Sequence, residues 1–127
     1  MEEREGLLMV MIAGPYRSGT GDDPAKIAAN LRAMNEAALA VYRAGHLPVV
    51  GEWFALPLVE MAGSTRPGDA AFNAIFHPVA HAVSRRCDAT LRLPGASEGA
   101  DEMVRLAEAL GQRVFYSVEE LPALVAK

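Results

Sequence analysis

A chain of 127 residues, 51 % hydrophobic and 22 % charged, has the length of one domain and enough apolar material for a buried core. Its formal charge of −4 and pI near 5.3 argue against a nucleic acid polymer as partner, because holding a phosphate backbone needs a basic surface. A small anion held by local dipoles stays open.

Leu7–Ala13 is an unbroken apolar run ended by Gly14-Pro15, the pattern of a strand buried on both faces of a parallel sheet. A loop of small residues, Gly14–Gly21, follows. Asp23 and Pro24 read as N-cap and first residue of a helix, with Ile27, Leu31, Met34, Ala38 and Val41 or Tyr42 at helical spacing and Gly45 as its stop. Leu47–Val50 is a short second strand. The apolar, aromatic stretch Gly51–Met61 carries no pattern that assigns its conformation. Asp69 reads as the cap of a helix through Phe76, which Pro78 either kinks or ends before a further helix to about Arg86.

Asp88–Leu93 is the third strand, closed by Pro94-Gly95. A helix from about Ser97 to Leu110 carries Ala100, Met103, Val104, Ala107 and Leu110 on one face and is ended by Gly111, and Val114–Tyr116 is a fourth strand. Ser117-Val118-Glu119-Glu120 has the form of a capping box that opens a short last helix. Alternating strands and helices predict one α/β domain over residues 1–127, a three-layer Rossmann- or flavodoxin-like fold with a parallel sheet of about four to five strands.

In such sheets ligands sit beyond the carboxyl ends of the strands, where the strand order reverses. Two predicted loops leave strand ends for helix starts, Gly14–Gly21 and Pro94–Gly99. Glycines let backbone approach a ligand, and helix N-termini supply free N–H groups and a positive dipole end. Arg17 and Ser18 add a guanidinium and a hydroxyl. The first loop is neither a Walker sequence nor a strict G-x-G-x-x-G, and composition alone also suits an ordinary turn. Glu98, Asp101 and Glu102 open the second helix. Acids there complement the dipole, yet one facing the crevice could attack a sugar's anomeric carbon or stabilise an oxocarbenium-like charge.

The segments Ile12-Ala13-Gly14-Pro15-Tyr16-Arg17, Arg43-Ala44-Gly45-His46, Cys87–Gly95 and Ser97-Glu98-Gly99-Ala100-Asp101-Glu102, then Leu106-Ala107 and Gly111, run through most of the chain. In content and order they resemble the nucleoside 2-deoxyribosyltransferase-like superfamily, its small bacterial members above all. The resemblance implies a flavodoxin-like domain, without a cofactor, that cleaves or transfers at the N-glycosidic bond of a nucleoside or nucleoside 5′-monophosphate. It implies a glutamate nucleophile near a helix start, four residues after the loop glycine. Counted from Gly99, that position is Met103, and Glu102 stands one residue early. The resemblance therefore points to Glu102, with Glu98 as second choice, or to a catalytically silent nucleotide-binding domain. Gly14, Tyr16, Arg17, Ser18, Gly19, Ser97 and Gly99 would take the substrate-binding part. Asp22 and Asp23 would repel a nearby phosphate unless they point outward as caps, which leaves nucleoside and nucleotide both open. Resembling enzymes are often oligomers, so a homo-oligomer is expected.

Trp53, just past the second strand, is placed to stack on a nucleobase, or with Phe54 to pack in the core or at a subunit contact. His77 and His81 would share a helix face but lack a third ligand, so no metal site is expected. His46 reads as a loop residue after a helix stop. The lone Cys87 fits a reducing compartment and reads as a small hydrophobe. The start Met1-Glu2-Glu3-Arg4-Glu5-Gly6 is acidic where a secretory leader is basic, and no apolar run reaches a membrane span. A cytoplasmic protein with no membrane partner is the expectation.

Overall fold

A computed structural model describes residues 4–126; the Met1–Glu3 part of the acidic start lies outside them. In chain order its elements are β1 (Arg4–Glu5), β2 (Met9–Ala13), α1 (Pro24–Arg43), β3 (Leu47–Val50), α2 (Gly51–Met61), α3 (Ala70–Ser84), β4 (Ala89–Arg92), α4 (Glu98–Ala109), β5 (Arg113–Phe115), a 3-10 turn (Val118–Glu120) and β6 (Val125–Ala126). The main sheet has four strands in the order β3-β2-β4-β5, all parallel, with Met11 opposite Val49 on one side and Thr90 on the other. β1 and β6 form a separate antiparallel pair that the sequence patterns did not signal.

Successive residues of a strand face opposite sides, and here both sides are covered. Val10 and Ile12 pack with Met34, Ala38 and Val41 of α1, and with Leu91 and Phe115. Met11 and Ala13 pack the other way, with Ala100 and Met103 of α4 and Ala80 and Val83 of α3. Helices on both faces of a parallel sheet make this a three-layer α/β fold of the Rossmann/flavodoxin kind. No described helix is long and apolar enough to cross a membrane.

Local chemistry explains most of the helix starts. The side chains of Asp23, Asp69 and Ser97 each accept a hydrogen bond from a backbone N–H of the helix they open, at Ala25, Phe72 and Ala100. α2 differs: it begins on the residue after β3, and its N-cap Val50 offers no side-chain bond. Pro57 and Pro78 lie inside α2 and α3, and α3 runs through Pro78 without ending. Both prolines are exposed, as are Trp53 and Ala74 one turn earlier, so water can pair with the carbonyls the prolines leave free. At the C-terminal end the expected capping box closes only a 3-10 turn. Ser117 makes no side-chain cap bond, and Glu120 Oε2 instead accepts from the Tyr116 N–H at 2.9 Å.

His46 is not a plain loop residue. It is fully buried, its Nδ1 accepts from the Leu8 N–H at 3.1 Å, and its Nε2 lies 3.0 Å from the Pro122 carbonyl, to which Nε2–H donates. The ring ties the entrance of β2 to the C-terminal segment. His46→Ala would leave both backbone groups unpaired around a cavity and is expected to destabilise by about 2–4 kcal/mol. Urea unfolding checks this; an unchanged midpoint at constant slope would show that the two bonds contribute nothing.

Candidate functional site

β2 sits between β3 and β4. The chain leaves β2 for β3 on one side and leaves β4 for β5 on the other, so the loops after β2 and β4 diverge at the switch point of the sheet. They also pack on one another. A Cβ on Gly14 would meet the Leu93 side chain at 3.2 Å, and one on Gly95, whose φ is +110°, would meet Pro15 at 3.0 Å. Arg92 clamps the second loop, donating to the Leu93 carbonyl, to the Gly95 carbonyl at 3.0 Å and to Asp101 at 2.9 Å. Asn30 of α1 holds the first loop by donating to the Tyr16 carbonyl at 2.9 Å.

Between these loops and the starts of α2 and α4 lies a cavity of about 180 Å³. Gly14, Tyr16, Arg17 and Ser18 form one wall, Gly51 and Glu52 a second, Phe72, Phe76 and His77 a third, and Ser97, Gly99, Ala100 and Met103 a fourth. The third wall is a run of stacked rings: Phe72 on Phe76 with centroids 4.6 Å apart, and Tyr16 on Phe76 at 5.4 Å. Flat apolar faces beside a few polar groups are the usual make-up of a small-molecule site.

Glu52 is the unusual member. Its residue is only 9 % exposed. Burial pushes its carboxyl up from 4.5 to about 7, against a smaller downward pull from its own backbone N–H. Burial also raises the Tyr16 phenol, helped by the charge of Glu52 and opposed by Arg17. A carboxyl that titrates near neutrality inside a cleft is a recurrent feature of catalytic sites.

Of the residues singled out in the sequence, the structure brings Gly14, Tyr16, Arg17, Ser18, Ser97 and Gly99 together around the cavity. Gly19, Trp53, Glu98 and Glu102 do not line it. Trp53 lies on the outside of α2, where its indole N–H donates to Asn35 of α1 at 2.7 Å. Glu98 is an exposed partner of Arg105 at 2.7 Å. Glu102 turns toward α3, its Oε1 being 3.2 Å from His81 Nε2, an ion-pair distance without hydrogen-bond geometry. From the body of α4 it is Met103, not a carboxylate, that reaches the cavity.

Glu52 and the Phe72–Phe76 wall are the features sequence reasoning missed. The available signal was an acidic residue just after a strand end, followed by an apolar run as far as Val59. His77 and His81 do lie on one continuous helix, but only His77 lines the cavity. Among the described residues no group of three or more His, Cys, Asp or Glu side chains is placed to hold a metal ion. Cys87 is buried beneath α3, with its thiol pushed up to about 11 by burial and by Asp88, which makes it a packing residue and a poor nucleophile.

No protein-family model matches this chain, and no curated protein matches it in sequence.

Proposed function

We propose that the cavity binds a nucleoside or nucleoside 5′-monophosphate, and that the chain cleaves or transfers at its N-glycosidic bond. The observation that carries the reading is the buried Glu52 carboxyl facing a cavity walled by stacked rings at the switch point. The rings offer a face for the base, and we assign the sugar to the polar groups of Tyr16–Ser18 on the facing wall. In its ionised form Glu52 attacks C1′ as the C1′–N bond breaks. The bonding pair leaves on the base, which takes up a proton, and water or a second base then displaces the glutamyl ester and restores the carboxylate. Near pH 7 both protonation states are populated, so one side chain can serve either half of such a cycle.

A catalytically silent binding domain is the second reading. It is favoured by Met103 in the cavity and by Glu98 and Glu102 outside it. The chain also works, on our reading, in the cytoplasm and as a homo-oligomer. Phe54, Leu58 and Met61 form an exposed apolar stripe on α2, and Trp53 is exposed beside it. A monomeric mass in solution would reject the oligomer.

The test of function is a panel of nucleosides and their 5′-monophosphates, followed for release of free base. Release supports glycosidic chemistry; saturable binding without release supports the silent domain; no binding of any member rejects both. A Cβ at Gly99 would meet nothing nearer than Ser97 Oγ at 4.0 Å. Gly99→Ala is therefore expected to fold with unchanged or slightly higher stability, by up to about 1 kcal/mol, while its methyl narrows the cavity and weakens nucleoside binding. Equal affinity by calorimetry would place the ligand away from the start of α4.

A further inference from the structure

We infer that the site takes the uncharged nucleoside and excludes its 5′-monophosphate, with Asp22 as the residue that sets this preference. The inference rests on the nucleoside reading above and narrows it. Arg17 is the one Lys or Arg whose side chain lines the cavity among the described residues. Its fork is already taken: Nε donates to Asp22 Oδ1 at 2.9 Å and Nη2 to Asp22 Oδ2 at 3.1 Å. That two-bond geometry is the one an arginine would offer a phosphate.

The guanidinium is also confined. It lies 5.5 Å over the Phe72 ring, and a Cβ on Gly68 would fall 2.6 Å from one of its nitrogens, so glycine at 68 is what gives it room. Asp22 is held in turn. It is the non-glycine residue with positive φ, +59°, among the described residues, and its N–H donates to the buried Thr20 hydroxyl at 3.1 Å. Thr20 Oγ1 itself donates back to the Arg17 carbonyl. Asp23 points away as the cap of α1, whereas Asp22 caps no helix; its hydrogen-bonded partner is Arg17, and the charge of Arg66 also acts on it.

The charge balance follows. Asp22, just outside the lining, pairs with Arg17, and the one carboxyl in the lining itself is Glu52, which adds negative charge when ionised. A phosphate dianion entering beside Arg17 competes with the Asp22 carboxylate for the guanidinium and faces Glu52 as well, whereas a hydroxymethyl group meets no such conflict. Rejection by a placed like charge is a general route to specificity.

The experiment measures binding of matched pairs, each 2′-deoxynucleoside beside its 5′-monophosphate, to wild type, Asp22→Asn and Asp22→Gly. The glycine variant keeps the positive φ free of strain. A second arm measures thermal stabilisation by inorganic phosphate against chloride at equal ionic strength. Wild type is expected to prefer the nucleoside at least roughly tenfold, and both variants to narrow or reverse that ratio by a similar factor. Phosphate should stabilise the variants and not wild type. Monophosphate bound as tightly as nucleoside by wild type, a ratio unmoved in both variants, or equal stabilisation of all three proteins by phosphate would overturn this inference alone. Failure of every nucleoside and monophosphate to bind would overturn it together with the proposed function.

Discussion

Glu52→Gln is expected to stabilise the protein above pH 7 while leaving its stability near pH 4 little changed. In the fold the carboxyl titrates at about 7 against an ordinary 4.5. The folded state thus holds this proton more tightly than the unfolded chain does. Below pH 4.5 both states are protonated and Glu52 carries no linkage cost. As pH rises from 4.5 through 7 the unfolded state releases its proton first, and the fold loses stability. Above 7 the loss is complete, at about 3 kcal/mol from the size of the shift. Glutamine does not titrate, so the difference between variant and wild type should grow across that window. At pH 8 it corresponds to a rise in Tm on the order of 10 °C. Parallel stability curves for the two proteins from pH 4 to 8 would mean that Glu52 is solvated, and the cavity would lose its distinguishing group. Stability given up at a functional site is a common exchange.

Phe72→Ala is expected to be the most damaging single truncation at the site. The ring is 3 % exposed, stacks on Phe76 and carries the Arg17 guanidinium over its face. Removing it should cost about 3–5 kcal/mol, a large part of the about 5–15 kcal/mol that holds a domain folded. Chemical denaturation reads the loss directly. Phe72→Leu refills much of the volume and should recover most of the stability. It lacks the flat ring, however, so nucleoside affinity should stay low. A leucine variant that binds nucleosides as well as wild type would remove the ring wall from the ligand surface.

The fold was legible where the determinants are local. Asp23, Asp69 and Ser97 announce their helices because an N-cap acts over two or three residues, and β2 announces itself as an apolar run because both its faces are covered. α2 was not legible. It is apolar on most sides, has no cap side chain and contains a proline, so neither period nor boundary marks it. The expectation that Trp53 faces a ligand fails for the same reason. Adjacent helical residues point about 100° apart, and without the helix nothing decides whether residue 52 or residue 53 faces the cavity. Glu102 is singled out by the resemblance, through its spacing from Gly99, among acids that stand at the start of α4. Their direction is set by partners on other elements, among them His81 of α3, which no local pattern reveals. The burial of Glu52 is likewise a product of tertiary packing, visible only once α2, α3 and the first loop close around it.

The central claim is that the carboxyl at 52 acts on a nucleoside held in this cavity. Its most direct test is base release by wild type, Glu52→Gln and Glu102→Gln, assayed side by side on the best substrate of the panel. The account predicts that Glu52→Gln binds the substrate but loses release by a factor of about 10² or more, while Glu102→Gln retains most of it. Full release by Glu52→Gln, with release lost in Glu102→Gln, would contradict it and return the chemistry to the start of α4.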